Sequence, residues 1–115
     1  MKKILAPTLH GYLDYVTVVL FLIAPSLLGL TGMAGTFAYL LAAIHLAMTL
    51  LTDFPLGVYK LIAFPLHGWI ERGVGPMLIV LPFIFGFNDV ATMFYIAVGI
   101  VIIIVGLLTD YQGTA

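Results

Sequence analysis

The three longest stretches of this chain without Asp, Glu, Lys or Arg are Tyr15 to Thr52, Gly73 to Asn88, and Val90 to Thr109. A helix needs about 20 mostly apolar residues to cross a hydrocarbon core about 30 Å thick. The first run is long enough for two crossings and each of the others suits one, so the sequence predicts four transmembrane helices. Composition points the same way. With 63% hydrophobic and 8% charged residues, the chain has too little polar surface to coat a water-soluble globule, in which about a quarter of residues are charged. A net charge of −1 gives no basic surface for nucleic acid, and the absence of cysteine excludes disulfides, iron–sulfur clusters, thiolate metal sites and cysteine nucleophiles. Met1-Lys2-Lys3 ahead of an apolar stretch looks like a leader. The stretch is too long for one, however, and His10 and Asp14 interrupt it, so it is read as the first helix.

Sliding the chain on itself by 57 positions brings its two halves into register without a gap. Leu9-His10-Gly11-Tyr12-Leu13-Asp14 falls on Leu66-His67-Gly68-Trp69-Ile70-Glu71, Pro25 on Pro82, and Gly29 on Gly86. Leu50-Leu51-Thr52-Asp53 falls on Leu107-Leu108-Thr109-Asp110. Apolar letters coincide by chance in any membrane protein, but His-Gly, Pro, Gly and Thr-Asp do not. The expected architecture is therefore all-α: one membrane domain over 1–115, in two tandem helix-hairpin repeats, about 3–53 and 60–110. Helices are expected near 11–30, 35–52, 68–87 and 90–108, with tight turns at Thr31-Gly32-Met33-Ala34 and Asn88-Asp89. The connection from Asp53 to Leu66 is expected in the membrane interface. Gly99 and Gly106 share one face of the fourth helix and should allow close helix contact.

All four basic residues, Lys2, Lys3, Lys60 and Arg72, lie at the N-terminus or near the central connection. The positive-inside rule puts both termini and that connection in the cytoplasm. Two helices per repeat then run both copies the same way through the bilayer, related by a pseudo-two-fold axis along the membrane normal.

The two hairpins, each with a proline near the end of its first helix and a following glycine, resemble the SPW-repeat proteins of bacterial membranes. The segments that carry the likeness are Ala24-Pro25-Ser26-Leu27-Leu28-Gly29-Leu30 and Leu81-Pro82-Phe83-Ile84-Phe85-Gly86-Phe87, with His10 to Tyr15 and Thr52 to Gly57 also similar. In both copies the Ser and Trp of the family signature are replaced, while Pro and Gly remain. The resemblance implies a small multi-pass protein of the bacterial cytoplasmic membrane, and no particular activity.

His10 and Asp14 are four apart, as are His67 and Glu71, so each pair projects from one helical face. Asp53 and Asp110 end the second helices on the same side of the membrane. Folding the repeats about their axis would gather two imidazoles and four carboxylates, a donor set suited to zinc, iron or manganese. The same residues also serve as helix-end and headgroup-level polar groups, with Arg72 neutralising Glu71, in which case no cofactor is involved. His45, near the middle of the second helix, has Ile102 as its repeat partner. It is read either as a hydrogen bond across helices or as a cofactor ligand. Bis-histidine haem ligation falls to His10 and His67. Trp69, Tyr12, Tyr15, Tyr59, Tyr95 and Tyr111 read as interfacial anchors and Tyr39 as a hydrogen-bonding group inside the bundle. No serine, histidine and acid fall into a hydrolase pattern, so nucleophilic catalysis finds no support here. Three functions follow. The first is a structural or interaction module, self-associating or bound to a membrane-protein partner. The alternatives are a metal- or haem-binding protein using the paired His and carboxylate residues, and an oligomeric small transporter or channel.

Overall fold

The computed structural model describes residues 3–113, so Lys2, counted above among the basic residues, lies outside the described residues. Four helices are present: α1 (Pro7–Leu28), α2 (Gly32–Leu51), α3 (Phe64–Phe85) and α4 (Asp89–Leu108). Each is long and apolar enough to cross a membrane. Two short strands, β1 (Thr52–Asp53) and β2 (Ile62–Ala63), pair in parallel between α2 and α3. The protein is a multi-pass helical bundle whose spans carry large exposed apolar side chains, among them Leu27, Phe83 and Met93, as a lipid surrounding requires.

The helix limits differ from the expected ones for local reasons. α1 and α3 begin earlier, at Pro7 and Phe64, because a proline in the first turn (Pro7 and Pro65) is pre-set for helix and gives up a donor that has no partner there anyway. His10 and His67 therefore belong to helices rather than to lead-in segments. At the other end, α1 and α3 stop at Leu28 and Phe85, because Gly29 and Gly86 adopt φ of 66° and 64°. These left-handed caps turn two amides back on one carbonyl. The N–H groups of Gly29 and Leu30 both donate to Pro25 O, and those of Gly86 and Phe87 to Pro82 O. Pro25 and Pro82 thus sit in the last turn, where the cap forms, and not at a mid-span kink. α2 and α4 open on Thr31 and Asn88, and only Asn88 caps with its side chain, accepting from Ala91 N at 2.9 Å.

α1 packs along α2, and α3 along α4, over most of their lengths, whereas α1 meets α4 and α2 meets α3 only briefly. In the second hairpin the backbones come close at Gly75 and Gly99, where a Cβ on Gly99 would stand 2.7 Å from Gly75 O. Gly106 does not share this contact and lies near the Tyr111 hydroxyl instead.

The hairpins are joined at the end where α1 and α3 begin. Leu61 N–H donates to Leu51 O, and Ile4 N–H donates to Leu108 O. Thr52 bridges to Ile62, and Thr109 to Leu5. Each lead-in therefore closes the last turn of the other hairpin, and both contacts recur at the 57-residue spacing. Lys3 and Lys60 add to this by donating to Leu107 O and Phe54 O. The central connection folds back on α2, with the N–H groups of Val58 and Tyr59 on Leu50 O, and Tyr15 donates to Leu56 O. Carbonyls that a helix end would leave without partners are satisfied this way.

Three aromatic expectations are reversed, one being Tyr111, whose hydroxyl is buried and whose ring packs on His10 and Phe64. Tyr95 is fully buried and donates to Ala34 O at 2.6 Å, joining the hairpins at their far end, whereas Tyr39 faces outward. Trp69, Tyr12 and Tyr59 are exposed. Arg72 stacks over the Trp69 ring, 4.5 Å from its centroid, and does not pair with Glu71.

Candidate metal centre

His10 and Asp14 lie one and two turns into α1, and His67 and Glu71 occupy the matching turns of α3. All four side chains are buried, none more than 4% exposed. Asp14 and Glu71 are each seven residues beyond the start of their helix, which at 1.5 Å per residue places them about 10 Å along it. From each residue one ligand atom can be chosen such that all four lie within 4.8 Å of one another. His10 Nε2 is 3.3 Å from both Asp14 Oδ2 and Glu71 Oε1. His67 Nε2 is 3.1 Å from Asp14 Oδ2 and also pairs with Glu71 Oε1. Each imidazole therefore touches the carboxylate of its own helix and that of the other.

The remaining ring nitrogens fix the tautomer. Thr109 Oγ1 donates to Val105 O at 2.6 Å and lies 2.8 Å from His10 Nδ1. Thr52 Oγ1 donates to Met48 O at 2.6 Å and lies 2.7 Å from His67 Nδ1. A hydroxyl has a single hydrogen, and in both threonines the carbonyl four residues earlier takes it. Each oxygen can then only accept from the imidazole, so Nδ1 carries a hydrogen in both histidines. Nε2 of both rings faces the carboxylates, within hydrogen-bond reach of Glu71 Oε1, where it either holds a second proton as imidazolium or, in the neutral ring, offers its lone pair. A partner that holds one ring N–H while the other nitrogen faces outward is the usual outer support of a metal-ligating histidine. Again the bonds cross between hairpins, the first hairpin's histidine on the second hairpin's threonine and the reverse.

Three buried polar atoms lack a hydrogen-bond partner among the described residues: Asp14 Oδ2, His45 Nε2 and the Tyr111 hydroxyl. All three belong to this site or border it. His45 is not mid-span in any functional sense. It faces Asp14, with Nε2 3.3 Å from Oδ1, out of line for a hydrogen bond. The Tyr111 ring lies 5.5 Å from that of His10 and 4.7 Å from that of Phe64, over Gly68, where a Cβ would meet the phenol ring at 2.7 Å. Burial, with the carboxylates of Glu71 and Asp14 nearby, pushes the Tyr111 phenol upward, so it remains an O–H group.

Of the six metal-candidate residues named from sequence, the structure brings together His10, Asp14, His67 and Glu71. Asp53 is exposed and Asp110 is half-buried, accepting from Gln112 N, so neither joins the set. The polar residue that reaches the site from the end of each second helix is the preceding threonine. Sequence reasoning noted Thr52 and Thr109 only as part of the repeat. Their signal was the duplicated Thr-Asp pair, of which the acid drew attention and the hydroxyl did the bonding.

Comparison with known proteins returned no match, whether to a family model, to a curated protein or to a solved structure.

Proposed function

We propose that this protein is a membrane metalloprotein that holds one divalent transition-metal ion between its two hairpins, ligated by His10 Nε2, Asp14, His67 Nε2 and Glu71. The observation that carries the reading is the pair of threonines, which commits both histidines to present Nε2 toward two carboxylates. Three further arguments support it. Ligand atoms about 2.0–2.2 Å from an ion stand about 3.3–3.6 Å apart at tetrahedral corners and about 2.8–3.1 Å at octahedral ones. The separations of 3.1 and 3.3 Å between Nε2 and carboxylate oxygens lie between these. Two neutral imidazoles and two carboxylates carry a charge that a dication cancels, which matters where charge is costly. Lastly, buried polar atoms without partners are rare in native proteins and often mark an absent ion or water.

Nitrogen and oxygen donors without thiolate suit zinc, iron or manganese. Haem fits less well. The His10 and His67 rings are edge to face with centroids 5.4 Å apart, and the carboxylates stand where a porphyrin would have to pass. Metal binding also gives the interaction-module reading a physical form, because the ion would fasten two hairpins that otherwise meet over short contacts. The proposal includes the remaining expectations as well: kinship with the SPW-repeat proteins, two copies about an axis along the membrane normal, and a bacterial cytoplasmic membrane with both termini inside.

Metal analysis of detergent-purified protein tests it. One ion per chain is expected, lost when His10 and His67 are both changed to Ala. Wild-type protein that is metal-free as purified, and that takes up neither zinc nor cobalt on titration, would sink the reading.

A further inference from the structure

One flank of the four-residue set opens toward lipid. Between α1 and α4 runs a cleft of about 90 Å³ that both Asp14 and Glu71 line. Its remaining walls are almost wholly apolar, and Val16, Leu20 and Val101 at its rim are 53%, 41% and 54% exposed. A groove of about 270 Å³ continues it along the same helix pair, sharing Thr17, Leu20, Val101 and Ile102 with the cleft. The path therefore leads from the lipid-facing surface to the buried carboxylates without crossing a charged residue.

The duplication sharpens the point. Ile102 lines this cleft, and at the matching position of the other hairpin stands His45, whose ring is set against Asp14 at 3.3 Å. One approach is thus occupied by an imidazole, and the other is left to an aliphatic side chain and open space. A fully enclosed structural ion requires neither the space nor the difference. Structural sites are closed by protein donors, whereas reactive ones keep a position for an outside ligand. Iron and manganese also accept more than the four donors available here.

Resting on the metal site proposed above, we infer that the α1/α4 cleft admits a small uncharged molecule dissolved in the bilayer to an open coordination position on the ion. Size limits the ligand. A cavity of about 150 Å³ holds benzene, so a 90 Å³ cleft takes something smaller, of two or three heavy atoms. The apolar walls select against ions and favour gases and other small neutral donors.

Nitric oxide is a suitable probe, because it is neutral, enters membranes and gives a spin-3/2 paramagnetic signal when bound to iron(II). Full-length protein in detergent is loaded with iron(II) without oxygen, its iron content is measured, and nitric oxide is added. The wild-type protein should give the iron–nitrosyl signal. Val101→Phe, which fills the cleft from its rim, should keep its iron and lose the signal. Ile44→Phe, the same change at the matching position of the other hairpin, should keep both. Iron-loaded wild-type protein without the signal would overturn the inference and leave the metal site standing, as would a Val101→Phe variant that still forms the adduct. Protein that takes up no metal at all would overturn both readings, and the iron measurement tells these failures apart.

Discussion

The two hairpins share an inner polar shell and differ outside it. Each supplies a histidine, a carboxylate four residues on, and a threonine at the end of its second helix that holds the other hairpin's histidine. Beyond that shell the first hairpin has His45 and Phe54 where the second has Ile102 and Tyr111, and Asp14 is one methylene shorter than Glu71. What both copies keep is what the proposed ion needs to be held. What they do not share falls on the flanks, where one side is filled by a ring and the other left open. The matched residues surround the proposed ion, and the unmatched ones give its site a front and a back.

The strongest test of that division removes one histidine from each copy in turn. His10→Ala and His67→Ala should each strip most of the metal from purified protein, and to a similar extent, because two of the four ligands lie in each hairpin and one histidine belongs to each pair. Unequal losses would mean that one hairpin binds the ion and the other merely packs against it. Smaller and still symmetric effects are expected from the threonines. Thr52→Val and Thr109→Val should each weaken metal affinity about 10–100-fold, the usual cost of removing an outer-shell partner. The two values should be alike in a competition titration, and a large gap between them would break the equivalence of the copies.

His45 tests the asymmetric part. His45→Ile, which makes the first hairpin resemble the second, should leave one ion per chain and lower affinity by about tenfold, at the weaker end of outer-shell effects. His45→Gln should recover part of this. The smallest effect is expected far from the site. Tyr95→Phe removes the bond to Ala34 O, a carbonyl that keeps its place in the α2 ladder, a loss of about 0.5–1.5 kcal/mol. It should lower the thermal midpoint in detergent and leave metal affinity unchanged.

Much of this architecture was legible in the residues because a bilayer imposes a coarse rule, and runs without charge can be read directly. The helix ends were less so. Gly29 and Gly86 stood out as repeat-equivalent, yet only the left-handed backbone makes them terminators and places Pro25 and Pro82 in the closing turn. Within the site, the spacing of His10 with Asp14 and of His67 with Glu71 put each pair on one face, and the duplication implied that the pairs meet. Asp53 and Asp110 misled, because charge is the louder signal and a one-residue step along an extended segment turns a side chain from the site to solvent. Thr52 and Thr109 take the inward direction. His45 could not be paired with Asp14 from sequence, since the rotation of α2 against α1 depends on packing that no repeat position records. Tyr95 was misjudged for the same reason, its depth being set by the hairpin it crosses to rather than by its place in its own helix.

The exchanged lead-ins have a consequence for how such a chain could arise. The segment before α1 closes α4, and the segment before α3 closes α2, so no hairpin completes its own last turn. A half-length chain with one lead-in and one hairpin would leave its own final carbonyls open while holding a strand end suited to close another's. Two such chains would satisfy one another through these bonds, each contributing half a cage. Fusing them end to end turns an encounter between separate molecules into a fixed neighbour, and only after that step can one half change its flanking residues without the other following.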